Sequence, residues 1–145
     1  MSYKCYNRFT KTFIRAYTFS FISAYITQQL VGGFAHPAIF GSPFVLFVLA
    51  LAAVEIFIIP IFKLLSLPVN GPGGIILRAL LVGLTMYVCA TVIEGFTIVS
   101  ATLPAVTAFG VYLPSKYLGP WESLGASALS YSIIRGVFDW LTSKK

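Results

Sequence analysis

Apolar residues run through this chain in long blocks separated by short clusters of glycine, proline and polar residues. A helix needs about 20 such residues to cross the hydrocarbon core of a bilayer, and the blocks at about 14–34, 43–65, 74–93 and 121–141 each reach that length. The pattern predicts an all-α membrane protein with four transmembrane helices in a single membrane domain, residues 1–145. The second block is the most uniform, with only Glu55 and Lys63 as charges. The first is diluted by Ser20, Ser23, Thr27, Gln28 and Gln29, which are expected to face other helices, where hydrogen bonds satisfy them.

Breakers lie between the blocks. Gly32-Gly33 and the stretch from Pro37 to Pro43 follow the first, and Pro68-Val69-Asn70-Gly71-Pro72-Gly73-Gly74 follows the second. The latter reads as a turn that includes Leu67, Pro68 and Asn70, with Asn70 available as a cap. It lacks the Lys and Ser/Thr spacing of a phosphate-cradling loop. The third connection, about 96–120, holds an apolar stretch cut by Pro104 and Gly110. It is expected to be an extra outer element, interfacial or re-entrant, because a fifth span would leave only Glu94 and Gly95 to reverse the chain.

A weak repeat runs through this layout. The first and third helices both end in Gly-Phe, at Gly33-Phe34 and Gly95-Phe96. The second and fourth align when Phe62 is laid on Phe138, which also brings the breakers Pro60 and Gly136 together. Two hairpins of the same orientation are expected, related by an axis along the membrane normal.

Composition sharpens the picture. Hydrophobic residues make up 58% of the 145 and charged residues only 10%, too few to cover a water-soluble core of this size. The net charge of +6 does not mark a nucleic-acid surface, because the basic residues form no stripe with interleaved aromatics. They flank the apolar blocks: Lys4, Arg8, Lys11, Arg15, Lys63, Lys144 and Lys145 fall on one side of a four-span arrangement and only Lys116 on the other. That asymmetry puts both termini in the cytoplasm of a bacterial inner membrane. The apolar stretch after Arg15 continues past Gln28 and Gln29 without a small-x-small cleavage site, so it reads as a retained first helix. Cys5 and Cys89 differ in expected depth and read as separate free thiols.

Few residues carry candidate chemistry. Glu55 sits mid-span, where a carboxylate is costly unless paired or neutralised. It reads either as a proton, cation or channel-lining site or as a structural ion pair. Arg78, a turn into the third helix, can reach it across an antiparallel hairpin, so Glu55 and Arg78 are expected to form an intramembrane polar contact. Arg135 and Asp139 are four apart on the last helix and form a local pair near its cytoplasmic end. Gly125, Ala128, Ser132 and Gly136 give that helix a small-residue stripe suited to close helix packing, within the chain or with another copy. His36 alone makes no metal site or triad. Trp121, Trp140, Tyr112 and Tyr117 suit the headgroup level. No His, Asp, Glu and Ser constellation converges at one depth, so no catalytic residues, metal or cofactor are expected.

The run Pro60-Ile61-Phe62-Lys63-Leu64-Leu65-Ser66-Leu67-Pro68-Val69-Asn70, followed by Gly95-Phe96, resembles the four-transmembrane holin-like proteins of phage holin superfamily four, small membrane proteins common in bacteria. The resemblance covers the chain from about Gly32 onward, and Leu67-Pro68-Val69-Asn70 is its informative part. The chain departs from the pattern at Ile59, where the family often has arginine, at Glu55 and Arg78, where asparagines are usual, and in the outer segment 97–120, which looks inserted. The resemblance implies a membrane protein that forms or modulates a permeation path. The alternative is a non-catalytic structural or accessory subunit of a membrane complex. The expected partners are the bilayer, further copies of the chain or another membrane protein, and not nucleic acid.

Overall fold

Long apolar runs with no interior glycine-proline cluster form helices, and the clusters end them. The structure, a computed structural model, describes residues 2–35, 41–64, 66, 71–108 and 110–143. Its four helices are α1 (Ser2–Val31), α2 (Ser42–Leu64), α3 (Pro72–Val92) and α4 (Pro120–Ser143). Strand β1 (Phe34–Ala35) follows α1. Between α3 and α4 come β2 (Thr97–Ile98), β3 (Ala101–Leu103), β4 (Val106–Ala108), β5 (Val111–Leu113) and β6 (Lys116–Leu118). Residues 67–70, with the expected turn at Leu67, Pro68 and Asn70, lie outside the described residues, as do His36, Lys144 and Lys145.

The helix ends follow local chemistry. Gly32 takes a left-handed φ of 65° and its N–H donates to the Gln28 carbonyl at 2.9 Å, closing α1. Pro72 starts α3 at a position where its missing N–H costs nothing. α1 begins well before residue 14, because the basic stretch ahead of the apolar block is itself free of breakers.

The helices pack in a closed ring, α1 on α2, α2 on α3, α3 on α4 and α4 back on α1. One end of the bundle carries the strands, and the opposite end gathers the charges. At the strand end, β1 pairs with β2 antiparallel, Phe34 opposite Ile98 and Ala35 opposite Thr97. The Gly33 carbonyl accepts the Val99 N–H at 3.0 Å. The two Gly-Phe sites of the repeat thus meet: Phe34 and Phe96 stack at 5.5 Å, and Phe47 of α2 lies 4.5 Å from Phe96. All three rings are buried.

The segment expected to be interfacial or re-entrant is a β-ribbon. β3 pairs with β6 and β4 with β5, both antiparallel, and the chain reverses near Gly110, whose φ is 81°. Thr102, Leu103, Val106, Thr107, Val111 and Tyr112 suit strands, while Pro104 and Pro114 interrupt the pairing because proline offers no N–H to a ladder. Overall hydropathy does not distinguish such a ribbon from a broken helix; the β-branched and aromatic content does.

Only α2 and α3 are individually long and apolar enough to cross a membrane, among the described residues. α1 and α4 are of sufficient length but more polar, and several of their polar residues face inward, although Gln29, expected to face another helix, is exposed and Gln28 is half-buried. Ser20, Ser23 and Thr27 of α1 and Ser123, Ser127 and Ser132 of α4 are buried, and Tyr131 donates to Ser20 Oγ at 3.0 Å. Meanwhile Leu30, Phe57, Leu80, Leu84, Val92 and Ile133 are among the exposed side chains. The outer surface of the bundle is thus rich in large apolar side chains, while the mostly apolar interior also takes in these serines and Thr27.

Close backbone approach occurs at glycines other than those expected on α4. A Cβ on Gly33 would collide with Ser127 Oγ and stand 2.9 Å from the Ser123 carbonyl oxygen, and one on Gly83 would touch Ala128 at 3.5 Å. Ala128 and Ser132 are buried, but a Cβ on Gly125 or Gly136 would meet nothing within 4 Å. The expected stripe is therefore only half used within one chain. Gly33→Ala is expected to lower stability by about 1–3 kcal/mol through overpacking against fixed backbone. Gly125→Ala is expected to be neutral or stabilising by up to about 1 kcal/mol. Thermal unfolding of both variants in detergent checks this, and equal effects would mean that Gly33 is not the tight point.

Candidate functional site

The charged end of the bundle holds four ionisable side chains from three helices. Glu55 lies nine residues before the end of α2 and Arg135 eight before the end of α4, each about 12–14 Å into the bundle at 1.5 Å per residue. α2 and α4 run in the same direction, so the two fall at one level. Arg78 comes up from the start of α3, and Asp139 sits one turn beyond Arg135.

These residues close a ring of alternating sign. Arg78 Nη2 donates to Asp139 Oδ2 at 2.9 Å, and Arg135 Nη1 donates to Asp139 Oδ1 at 2.6 Å. On the other side, Glu55 Oε2 lies 3.6 Å from Arg78 Nε and 3.8 Å from Arg135 Nε. Asp139 is therefore gripped by two charge-assisted hydrogen bonds, whereas Glu55 is held by Coulomb attraction at distances beyond hydrogen bonding. Glu55 is also the more buried, 3% exposed at its side chain against 29% for Asp139. Among the described residues, Glu55 Oε1 and the Nε atoms of Arg78 and Arg135 have no hydrogen-bond partner.

Next to the ring is a cavity of about 400 Å³, lined by Thr12, Arg15 and Ala16 of α1, Ile56 and Ile59 of α2, Thr142 of α4 and the four charged residues. Phe19 forms part of the same end: the Arg15 and Arg135 guanidinium carbons lie 5.5 and 5.2 Å from its centroid, and Phe138 stacks on it at 5.5 Å. Toward the strand end the interior is filled by Leu51, Val82, Met86 and the Phe34, Phe47 and Phe96 rings, all buried. Beside this apolar plug, the buried polar side chains of α1 and α4, Ser20, Ser23, Thr27, Ser127 and Ser123, continue toward the strand end.

The structure thus brings all four sequence-singled charges together. The Arg135 to Asp139 pair, read from sequence as a separate local contact, shares Asp139 with Arg78 and reaches Glu55 through Arg135. One signal for this lay in the repeat: laying Phe62 on Phe138 sets Arg135 level with Ile59, one turn from Glu55. By sequence Arg15 is only a charge flanking the first span, and nothing in its neighbourhood along the chain shows that α1 brings it to the cavity beside the ring. No group of three or more His, Cys, Asp or Glu side chains that could hold a metal occurs among the described residues.

No protein-family model, curated protein or solved structure matches this chain.

Proposed function

We propose that the chain is a four-span protein of the bacterial cytoplasmic membrane, with both termini cytoplasmic, that is non-enzymatic and forms or modulates a permeation path. The support for spanning is the apolar outer surface, where leucine, isoleucine, valine and phenylalanine side chains are exposed along the bundle while serines, Thr27 and the ion ring are buried within it. Such an arrangement is stable where the surrounding solvent is hydrocarbon. α1 and α4 then cross as well as α2 and α3, because pairing with each other removes their polar side chains from lipid.

The permeation reading rests on the charged cavity beside Glu55. On the cytoplasmic side it is a vestibule, closed toward the other side by the aromatic plug, so passage needs displacement of the plug or assembly of several copies. A holin-like role agrees with the turn motif and with the small-residue positions Gly125 and Gly136, which stay unfilled within one chain. The test is inducible expression with a membrane-impermeant dye outside the cells. Dye entry that tracks the amount of inserted protein supports the reading, and abundant, correctly inserted protein without leakage counts against it.

A second reading, an accessory subunit of a membrane complex, is favoured by the β-ribbon, which exposes Val111, Tyr112 and Tyr117 beyond the bundle. Crosslinking from position 112 separates the two: capture of a specific second protein supports it, and recovery of self-crosslinks alone removes it.

A further inference from the structure

The wall of the cavity carries three guanidiniums, Arg15, Arg78 and Arg135, against two carboxylates, Glu55 and Asp139. The ring neutralises two of each sign and leaves Arg15 over. Among the described residues Arg15 makes no ion pair; it is exposed and rests on the face of Phe19, which Arg135 also approaches. Lys11, one turn earlier on α1, is likewise exposed. α1 contains no acidic residue to offset either. Deeper in, the Nε donors of Arg78 and Arg135, on side chains only 6% and 9% exposed, face Glu55 at ion-pair distance but have no hydrogen-bond acceptor among the described residues. The remaining wall combines Thr12 and Thr142 with an apolar side of Ala16, Ile56 and Ile59, the last half exposed on the outer surface of the bundle.

A surplus of positive charge, set between helices at the end of a bundle and bordered by apolar side chains that reach the outer surface at Ile59, matches one ligand chemistry. It suits an anionic phosphate attached to a hydrocarbon chain. A soluble anion would use the charge but not the apolar side chains; a neutral lipid would use the apolar side chains but not the charge.

We propose that this cavity binds the headgroup phosphate of an anionic phospholipid from the leaflet at the charged end of the bundle, with Arg15 as its main cationic partner and an acyl chain along Ile56 and Ile59. The ligand restores local neutrality, and it occupies the mouth of the vestibule above Glu55. The proposal rests on the reading of the bundle as membrane-spanning, though not on permeation.

The experiment uses the full chain purified in a neutral detergent, titrated separately with phosphatidylglycerol, phosphatidylcholine and inorganic phosphate, and followed by thermal unfolding and by mass spectrometry of retained lipid. Phosphatidylglycerol is expected to bind and raise the unfolding temperature, and the other two to do neither. Arg15→Gln should weaken phosphatidylglycerol binding about fivefold, roughly what one basic residue contributes at a membrane surface. Its lipid-free unfolding temperature should stay unchanged, and Arg15→Lys should retain most of the binding. Equal binding of phosphatidylcholine, or unaltered affinity in Arg15→Gln, overturns the site. A shift reproduced by inorganic phosphate alone overturns the lipid assignment in favour of a soluble phosphate ligand. A chain found in the soluble fraction after lysis refutes the spanning reading before any lipid is added, while a negative dye assay leaves this proposal standing.

Discussion

Arg78→Leu is expected to destabilise the protein by about 3–5 kcal/mol, the usual cost of leaving a buried ion without its partner. Arg78 of α3 ion-pairs with both carboxylates, and its removal leaves Glu55 and Asp139, among the described residues, paired with Arg135 alone. Glu55→Gln should cost less, because its contacts are longer than hydrogen bonds. The double variant is the informative one. With Glu55 and Arg78 both neutralised, the tightly bonded Arg135 to Asp139 pair remains and the site carries no net charge, so the combined loss should fall well short of the sum. Glu55→Gln with Asp139→Asn should do the opposite, since two facing arginines are left with no counter-charge. Thermal or denaturant unfolding in detergent measures all of these. Additive losses in both pairs would show that the four residues do not act as one unit.

Phe96→Ala is expected to cost about 3–5 kcal/mol as well, here through packing. The ring is 1% exposed and packs on both Phe34 and Phe47, which also touch each other, and the three form the apolar plug at the strand end. Its loss leaves a cavity whose aromatic neighbours come from α2 and from the segment after α1, tied in place by the short β1 to β2 pairing, so they have little freedom to collapse. If the plug is the barrier between the charged vestibule and the far side, the variant should also make reconstituted liposomes leak small solutes. Parental stability would mean that these rings do not carry the packing. Tight liposomes containing verified, inserted variant would mean that the barrier lies elsewhere.

Much of this was legible from residue pattern, because it depends on local properties. Four helices and their breaks follow from the length of apolar runs and from Gly32, Pro72 and their neighbours, each of which acts within a turn of its own position. Glu55 was identifiable from its isolation alone: a single carboxylate in an apolar run must find a partner, and Arg78 was the nearest cation across the hairpin. The strand content of 97–118 was less legible, because the same residues that make a ribbon β-prone also make it apolar, and apolarity dominated the reading.

The joining of two expected pairs into one ring depended on tertiary structure. Asp139 satisfies Arg135 from one turn away whatever the fold, so sequence spacing offers no reason to look further. Only the packing of α3 against α4 brings Arg78 within 2.9 Å of Asp139. The same holds for Arg15, a flanking charge by sequence, which becomes part of a cavity wall because α1 packs on α4 and brings Phe19 against Phe138. Local sequence determined which residues are costly in hydrocarbon. The arrangement of helices around a common axis decided which of them share the cost, because ion pairing acts over a few ångströms of space and takes no account of the 61-position separation along the chain between Arg78 and Asp139.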